Sequence, residues 1–217
     1  MANTNTTTAA STTKINLNDI DAVLMLDFSG TMATQDAGSG GALTRLAAMR
    51  ESAKAFAAEL EKHDSDGITI VKFAGKVKIY DGVTSTKVDE IFMENRAMGG
   101  TATDEALKQI SEKFLAKRAS DKTGRPIFVG IFTDGRPDNQ VGLAEQIVGI
   151  TKQIKSRKEF GILFVQVGKD ADAAGYLAKL NNDLEGAGAS HDIVAVCKLD
   201  DLEDLTTEEI VEMAFTE

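Results

Sequence analysis

The stretch VLMLDFSGTM, residues 23–32, closes an apolar run with side chains that can bind a cation. Asp27 follows four apolar residues, and Ser29 and Thr31 come after it at alternate positions. In a roughly extended segment, side chains at alternate positions point to the same side, so these three can converge. Gly30 allows close approach of the backbone. The stretch therefore predicts a group of oxygen donors just beyond a buried strand.

Two more segments carry oxygen-bearing side chains at the end of a predicted element. Thr101 follows two glycines in MGGTATDEAL and opens a predicted helix, and Asp134 ends the apolar run PIFVGIFTD. With Asp27, Ser29 and Thr31 they form a set of oxygen donors in which only the two aspartates are charged. Such sets suit hard cations such as Mg²⁺, Mn²⁺ or Ca²⁺. A cation with so few charged ligands can still accept a carboxylate from outside.

The rest of the chain alternates strand and helix patterns. Apolar stretches predict six strands, at 22–27, 68–73, 76–80, 126–134, 160–168 and 191–197. Apolar residues at helical spacing predict helices near 46–60, 86–93, 103–117, 143–154, 171–183 and 206–215. Four strands are apolar on both faces, as in a parallel sheet covered by helices, whereas KVKIY alternates and follows a turn. We expect a doubly wound α/β domain with a mostly parallel six-stranded sheet and one antiparallel edge strand.

This architecture explains how separate segments can form one site. In doubly wound sheets, ligands bind in a crevice beyond the carboxyl ends of the strands. Asp27 and Asp134 each end a predicted central strand, and Thr101 begins a predicted helix after a glycine loop. We therefore expect the three segments to meet at this crevice.

Composition narrows the classes of partner and compartment. A net charge of −10 disfavours nucleic acid and anionic membranes. The single cysteine, Cys197, allows no internal disulfide and fits a reducing compartment. Residues 1–14 lack the apolar core of a signal peptide and are expected to form a flexible polar tail before one domain over 15–217. No apolar run reaches transmembrane length, so we expect a cytoplasmic protein.

The three motifs resemble those of the von Willebrand factor A domain with its metal-ion-dependent adhesion site. That family has Asp-x-Ser-x-Ser, then a Thr after a glycine-containing loop, then an Asp at a strand end. Here the motifs read DFSGTM, GGTATDEAL and FTDGRP, and the resemblance covers about residues 18–216. Thr31 replaces the usual final Ser and keeps the hydroxyl group.

The resemblance implies a non-catalytic module that binds proteins through a divalent cation, most simply Mg²⁺. The implied metal ligands are Asp27, Ser29, Thr31, Thr101 and Asp134, the hydroxyls binding directly and the carboxylates either directly or through water. The implied partner is a protein that presents an acidic side chain to the metal. Intracellular bacterial members of the family accompany stress or tellurite-resistance systems, or act with ATPases in complex assembly, which implies a stress-response or assembly setting.

An enzyme is the alternative interpretation. DFSGT also resembles the Asp-x-Asp-Gly-Thr nucleophile motif of haloacid-dehalogenase-type phosphatases, which would make Asp27 a phosphotransfer nucleophile. Ser29 stands where that family has its general acid, so turnover should fail. A nucleotide-binding Rossmann domain is disfavoured because GSGGAL lies well beyond the first strand and has Leu43 at the third glycine position.

Some of these polar residues also have simpler structural interpretations. Ser29 and Thr31 could cap the first helix, although the matching Thr and Asp in the other two motifs disfavour this. Asp138, in TDGRPD, is expected to be a helix N-cap rather than a metal ligand. Asp36, in the glycine-rich loop, is expected to be solvated.

Overall fold

The computed structural model describes residues 15–63, 67–120 and 124–216. The polar tail predicted for residues 1–14 lies outside this range. The strands are β1 (Asp21–Asp27), β2 (Gln35–Ala37), β3 (Leu43–Thr44), β4 (Ile68–Phe73), β5 (Val77–Val83), β6 (Ile127–Thr133), β7 (Phe160–Gln166) and β8 (Val194–Lys198). The α-helices are α1 (Arg45–Leu60), α2 (Ser85–Glu94), α3 (Thr103–Ser120), α4 (Gln140–Thr151), α5 (Ala171–Asp183) and α6 (Thr207–Met213).

Six strands form one sheet in the order β5-β4-β1-β6-β7-β8. All neighbours in this sheet are parallel except β4 and β5, which form an antiparallel pair at the edge. The fold is therefore the predicted α/β architecture, with a mostly parallel sheet and one antiparallel edge strand. Among the described helices, none is long and apolar enough to span a membrane.

Helices cover both faces of the sheet, so a hydrophobic core lies on each side of it. Alternate residues of β1 face opposite cores: Leu24 and Leu26 belong to one, and Val23 and Met25 to the other. The first core includes buried residues of α1, α2 and α6, and the second includes buried residues of α3, α4 and α5. Burial on both faces explains why β1 and β6 are nearly continuous apolar runs.

The chain reverses its direction of winding at β1. From β1 it crosses to β4 on one side, and later it returns to β6 on the other side. The carboxyl ends of β1 and β6 therefore flank the topological switch point, where doubly wound sheets bind ligands. The strand pairing places the end of β1 beside the end of β6, since Leu26 is aligned with Phe132.

One small element differs from the expectation of a plain glycine-rich loop between β1 and α1. β2 and β3 form a short antiparallel pair across residues 35–44. The backbone of Arg45 donates a hydrogen bond to the carbonyl of Thr34, which fixes the start of α1 against this segment. The result is an ordered connection beside the switch point.

Candidate metal centre

Asp27 is the last residue of β1, and its side chain is completely buried. Oδ1 accepts a hydrogen bond from the backbone N–H of Ser29 at 2.7 Å, and Oδ2 accepts one from the Thr133 hydroxyl at 2.7 Å. Burial raises the pKa of Asp27 to about 6, although these hydrogen bonds favour the ionised form. Within the described part of the chain, Asp27 forms no ion pair, so a bound cation would relieve the cost of its burial.

A line of oxygen atoms connects the first and third motifs. The Ser29 and Thr31 hydroxyls are 3.2 Å apart, and Thr31 donates a hydrogen bond to Asp134 Oδ1 at 2.9 Å. Ser29 makes no side-chain capping bond to the short 3₁₀ turn that follows it, and the N-cap of α1 is Thr44. The alternative in which Ser29 and Thr31 cap the first helix is therefore wrong.

The second motif lies against the first through its backbone. Met98 N–H donates to the carbonyl of Phe28 at 2.8 Å, and Gly30 N–H donates to the carbonyl of Gly99 at 3.1 Å. These bonds bring Thr101, which is buried, close to the loop that carries Ser29 and Thr31. Among the described residues, none forms a hydrogen bond with the Thr101 hydroxyl, so this oxygen is available to a ligand.

Asp138 fixes the position of Thr101. Its Oδ2 accepts a hydrogen bond from Thr101 N–H at 2.8 Å, and its own N–H donates to the Thr101 carbonyl at 3.0 Å. The prediction that Asp138 caps α4 is wrong, because Asn139 is the N-cap and accepts from Gly142 N–H. Asp138 instead ties the second motif to the third.

Arg45 and Asp36 form a further part of this cluster. Arg45 is buried, and its Nη1 lies 2.8 Å from Asp134 Oδ2. Its Nε and Nη2 donate to the two oxygens of Asp36 at 2.8 and 2.7 Å. The guanidinium group of Arg45 lowers the pKa of Asp36. The expectation that Asp36 is solvated holds only in part, because its side chain is 27% exposed but its carboxylate is held in a two-pronged ion pair.

The donor set fits a hard divalent cation. Asp27, Ser29, Thr31 and Asp134 are joined by short contacts at the switch point, and Thr101 is held beside them by its backbone. In the described part of the chain, no group of three or more His, Cys, Asp or Glu side chains is placed to hold a metal. A cation here would therefore depend on hydroxyl oxygens as well as on two carboxylates, a choice of ligands typical of Mg²⁺, Mn²⁺ and Ca²⁺.

Sequence reasoning missed three contributors to this site, namely Arg45, Asp36 and Thr133. Thr133 could have been suspected, because it directly precedes Asp134 at the end of an apolar strand. Arg45 gave no such signal, because its contact with Asp134 joins positions 89 residues apart in the chain, and Asp36 enters the cluster only through Arg45.

The family model of the von Willebrand factor type A domain matches residues 21–208, which include all three motifs. The chain therefore belongs to the von Willebrand factor type A domain family, whose members often mediate metal-dependent protein interactions. A comparison with curated protein sequences found no match.

Solved structures with the same fold are distant in sequence. Manganese-loaded TRAP protein of Plasmodium vivax has 15% identity and a TM-score of 0.55, over 87% of this chain and 72% of that one. A mutant of the PilB minor pilin of Streptococcus sanguinis has 10% identity and a TM-score of 0.56, over 89% and 62%. Proximal thread matrix protein 1 from the mussel byssus has 14% identity and a TM-score of 0.57, over 90% and 48%. The chain thus spans less than two thirds of the last two proteins.

Proposed function

We propose that this protein is a non-catalytic binding module whose divalent cation accepts a carboxylate from a partner protein. The observation that carries the proposal is the line of oxygens from Ser29 through Thr31 to Asp134, beside buried Asp27. Family membership supports the metal dependence, and the donor chemistry favours Mg²⁺, with Mn²⁺ and Ca²⁺ as alternatives. When bound, the cation supplies an electrophilic centre for an anionic oxygen.

The chain's own residues would hold that cation in place and donate only limited negative charge to it. Asp27 is fixed by Ser29 N–H and the Thr133 hydroxyl, and Thr101 is fixed by Asp138. The hydroxyls of Ser29, Thr31 and Thr101 are neutral ligands that donate less charge than carboxylates would, so the cation would remain electrophilic toward an incoming carboxylate. This balance between rigid carboxylates and neutral hydroxyls supports binding of an external acidic group.

The partner we propose is a protein that presents a single accessible Asp or Glu. The chain has a net charge of −10, so a broadly acidic surface would be repelled at long range. A single coordination bond acts at short range and is screened little by moderate salt. Neither nucleic acid nor an anionic membrane fits this charge, and we propose a cytoplasmic stress-response or assembly system as the setting, on the family resemblance.

A displayed peptide library tests this proposal without a known partner. Peptides are selected on the protein in Mg²⁺ and eluted with EDTA, and each selected Asp or Glu is then changed to its amide. We expect every EDTA-eluted peptide to need one carboxylate and to lose affinity for the Thr101→Ala variant. Thr86→Ala, an exposed threonine in α2, is the matched control. EDTA-eluted peptides that keep their affinity after the change to the amide, and that bind Thr101→Ala as well as wild type, would contradict the proposal.

We also propose that Asp27 is not a phosphotransfer nucleophile. Both of its oxygens accept hydrogen bonds, it is fully buried, and Ser29 cannot protonate a leaving group as a carboxylic acid would. Incubation with acetyl phosphate and Mg²⁺ should leave the intact mass unchanged. A gain of one phosphoryl group that disappears in Asp27→Asn would favour the haloacid-dehalogenase-like alternative.

A further inference from the structure

The position of Arg45 is unusual for an arginine on a helix. Arg45 is the first residue of α1, where the helix dipole places partial positive charge and disfavours a cation. It is nevertheless only 7% exposed. Three of its N–H groups reach carboxylates at 2.7 to 2.8 Å, on Asp36 and Asp134. These two aspartates, and not the helix, therefore favour a cation at this position.

The surrounding backbone is shaped around this ion pair. Gly168, in the loop after β7, has a φ of +80°, and a Cβ atom there would lie 2.4 Å from Arg45 Nε and 2.7 Å from Asp36 Oδ1. The N–H of Lys169 also points to Asp36 Oδ2, at 3.4 Å. A side chain at position 168 would collide with the pair, so the loop accommodates the guanidinium group by using glycine.

Asp134 is shared between Arg45 and the candidate metal centre. Its Oδ1 accepts from the Thr31 hydroxyl, and its Oδ2 accepts from Arg45. Asp27, Asp134 and Asp36 are three carboxylates, and Arg45 is the guanidinium group between two of them. When all are ionised, the group carries two net negative charges, which one divalent cation neutralises. Without Arg45 the group would carry three net negative charges, and without Asp36 it would carry only one.

We propose that Arg45 is a built-in counter-ion of the metal centre, which competes with the bound cation for the charge of Asp134, and that Asp36 moderates this competition by holding Arg45. The inference rests on the proposed function, because it concerns how tightly the same site binds its cation. The usual partners of metal ligands are carboxylates and carbonyls that strengthen the ligand. A guanidinium group has the opposite effect, so it keeps the site assembled without metal and weakens metal binding.

The proposal is tested by titrating wild type and four variants with Mn²⁺. The electron paramagnetic resonance signal of the free ion measures how much Mn²⁺ remains unbound. Arg45→Gln should bind Mn²⁺ about 10- to 100-fold more tightly, the range over which partners of metal ligands change affinity. Asp36→Asn should bind it more weakly, and the double variant, which restores the charge balance, should return close to wild type. Arg50→Gln removes an arginine of the same helix that pairs with Asp89 instead, and it should leave the affinity unchanged.

The opposite signs separate charge competition from a merely structural role. Damage to the fold would weaken Mn²⁺ binding in both single variants, whereas competition strengthens it in one and weakens it in the other. If Arg45→Gln unfolds without metal, the comparison of Asp36→Asn with the double variant carries the same test. Unchanged or weaker binding in Arg45→Gln, or tighter binding in Asp36→Asn, would overturn the inference.

Failure of this inference is distinguishable from failure of the proposed function. If wild type binds Mn²⁺ and Arg45→Gln binds it no more tightly, only the inference is contradicted. If wild type does not bind Mn²⁺ but Arg45→Gln does, the inference is upheld and metal binding by the native site is contradicted. No binding by either protein overturns both.

Discussion

Helix α1 carries two arginines that pair with carboxylates in very different surroundings. The Arg45 side chain is 8% exposed and contacts Asp134, which is 1% exposed, and Asp36. The Arg50 side chain is 36% exposed and shares the partly exposed Asp89 with Lys54. Removing one partner of a buried pair leaves a charge without compensation, whereas water replaces the partner at the surface. Similar ion pairs on one helix should therefore differ greatly in their effect on stability.

The largest effect is expected for Arg45→Gln in the absence of metal. The variant leaves Asp134 buried without its cation, which should lower the free energy of unfolding by roughly 3–5 kcal/mol. Urea unfolding in EDTA measures this loss. Saturating Mn²⁺ should recover part of it, because the cation replaces the missing positive charge. A loss no greater than that of Arg50→Gln would show that burial does not distinguish the two arginines.

A smaller, pH-dependent effect is expected for Asp36→Asn. Arg45 lowers the pKa of Asp36 in the folded protein below its ordinary value of 3.8. Its stabilising contribution is therefore present above pH 3.8 and is lost as the pH falls through the folded-state pKa. Unfolding of wild type and Asp36→Asn in EDTA should show a stability difference that narrows in acid. A difference that stays constant from neutral to acid pH would mean that the ion pair does not contribute.

The smallest effect is expected for Arg50→Gln. Its pair with Asp89 is partly accessible to water and salt, and Lys54 remains beside Asp89 after the change. Thermal unfolding should match wild type at high salt and differ little at low salt. A large loss of stability that does not depend on salt would show that the Arg50 pair stabilises the fold in the same way as the buried Arg45 pair.

The fold was predictable because its signals are long and repetitive. β1, β6 and β7 are buried on both faces and appear as continuous apolar runs, and the alternating KVKIY segment became the antiparallel edge strand β5. The β2–β3 pair was missed, because strands of three and two residues are too short to show a period. The helix predicted near 206–215 is present as α6, which begins with a capping box of Thr206 and Glu209.

The site was predictable where its residues lie in a short motif or at the end of a predicted element. Asp27, Ser29 and Thr31 lie within five residues, and the ends of two central strands were enough to associate them with Asp134. Asp138 was wrongly predicted as an N-cap, because Asn139 beside it has the same preference and sequence does not decide between them. The pairing of Arg45 with Asp134 depends on the packing of α1 against the sheet, which no short pattern records.

The most direct test of the metal centre is Mn²⁺ binding by wild type and Asp27→Asn, measured by calorimetry and by thermal unfolding. Asp27→Asn preserves the shape of the buried side chain but removes its charge, and Asp89→Asn is the matched control at the partly exposed pair. Wild type and the control should each bind a single Mn²⁺ and gain about 2.7 kcal/mol of stability when the free ion is about 100 times its Kd. Asp27→Asn should show neither binding nor stabilisation. Equal Mn²⁺ binding by Asp27→Asn and wild type would contradict the account.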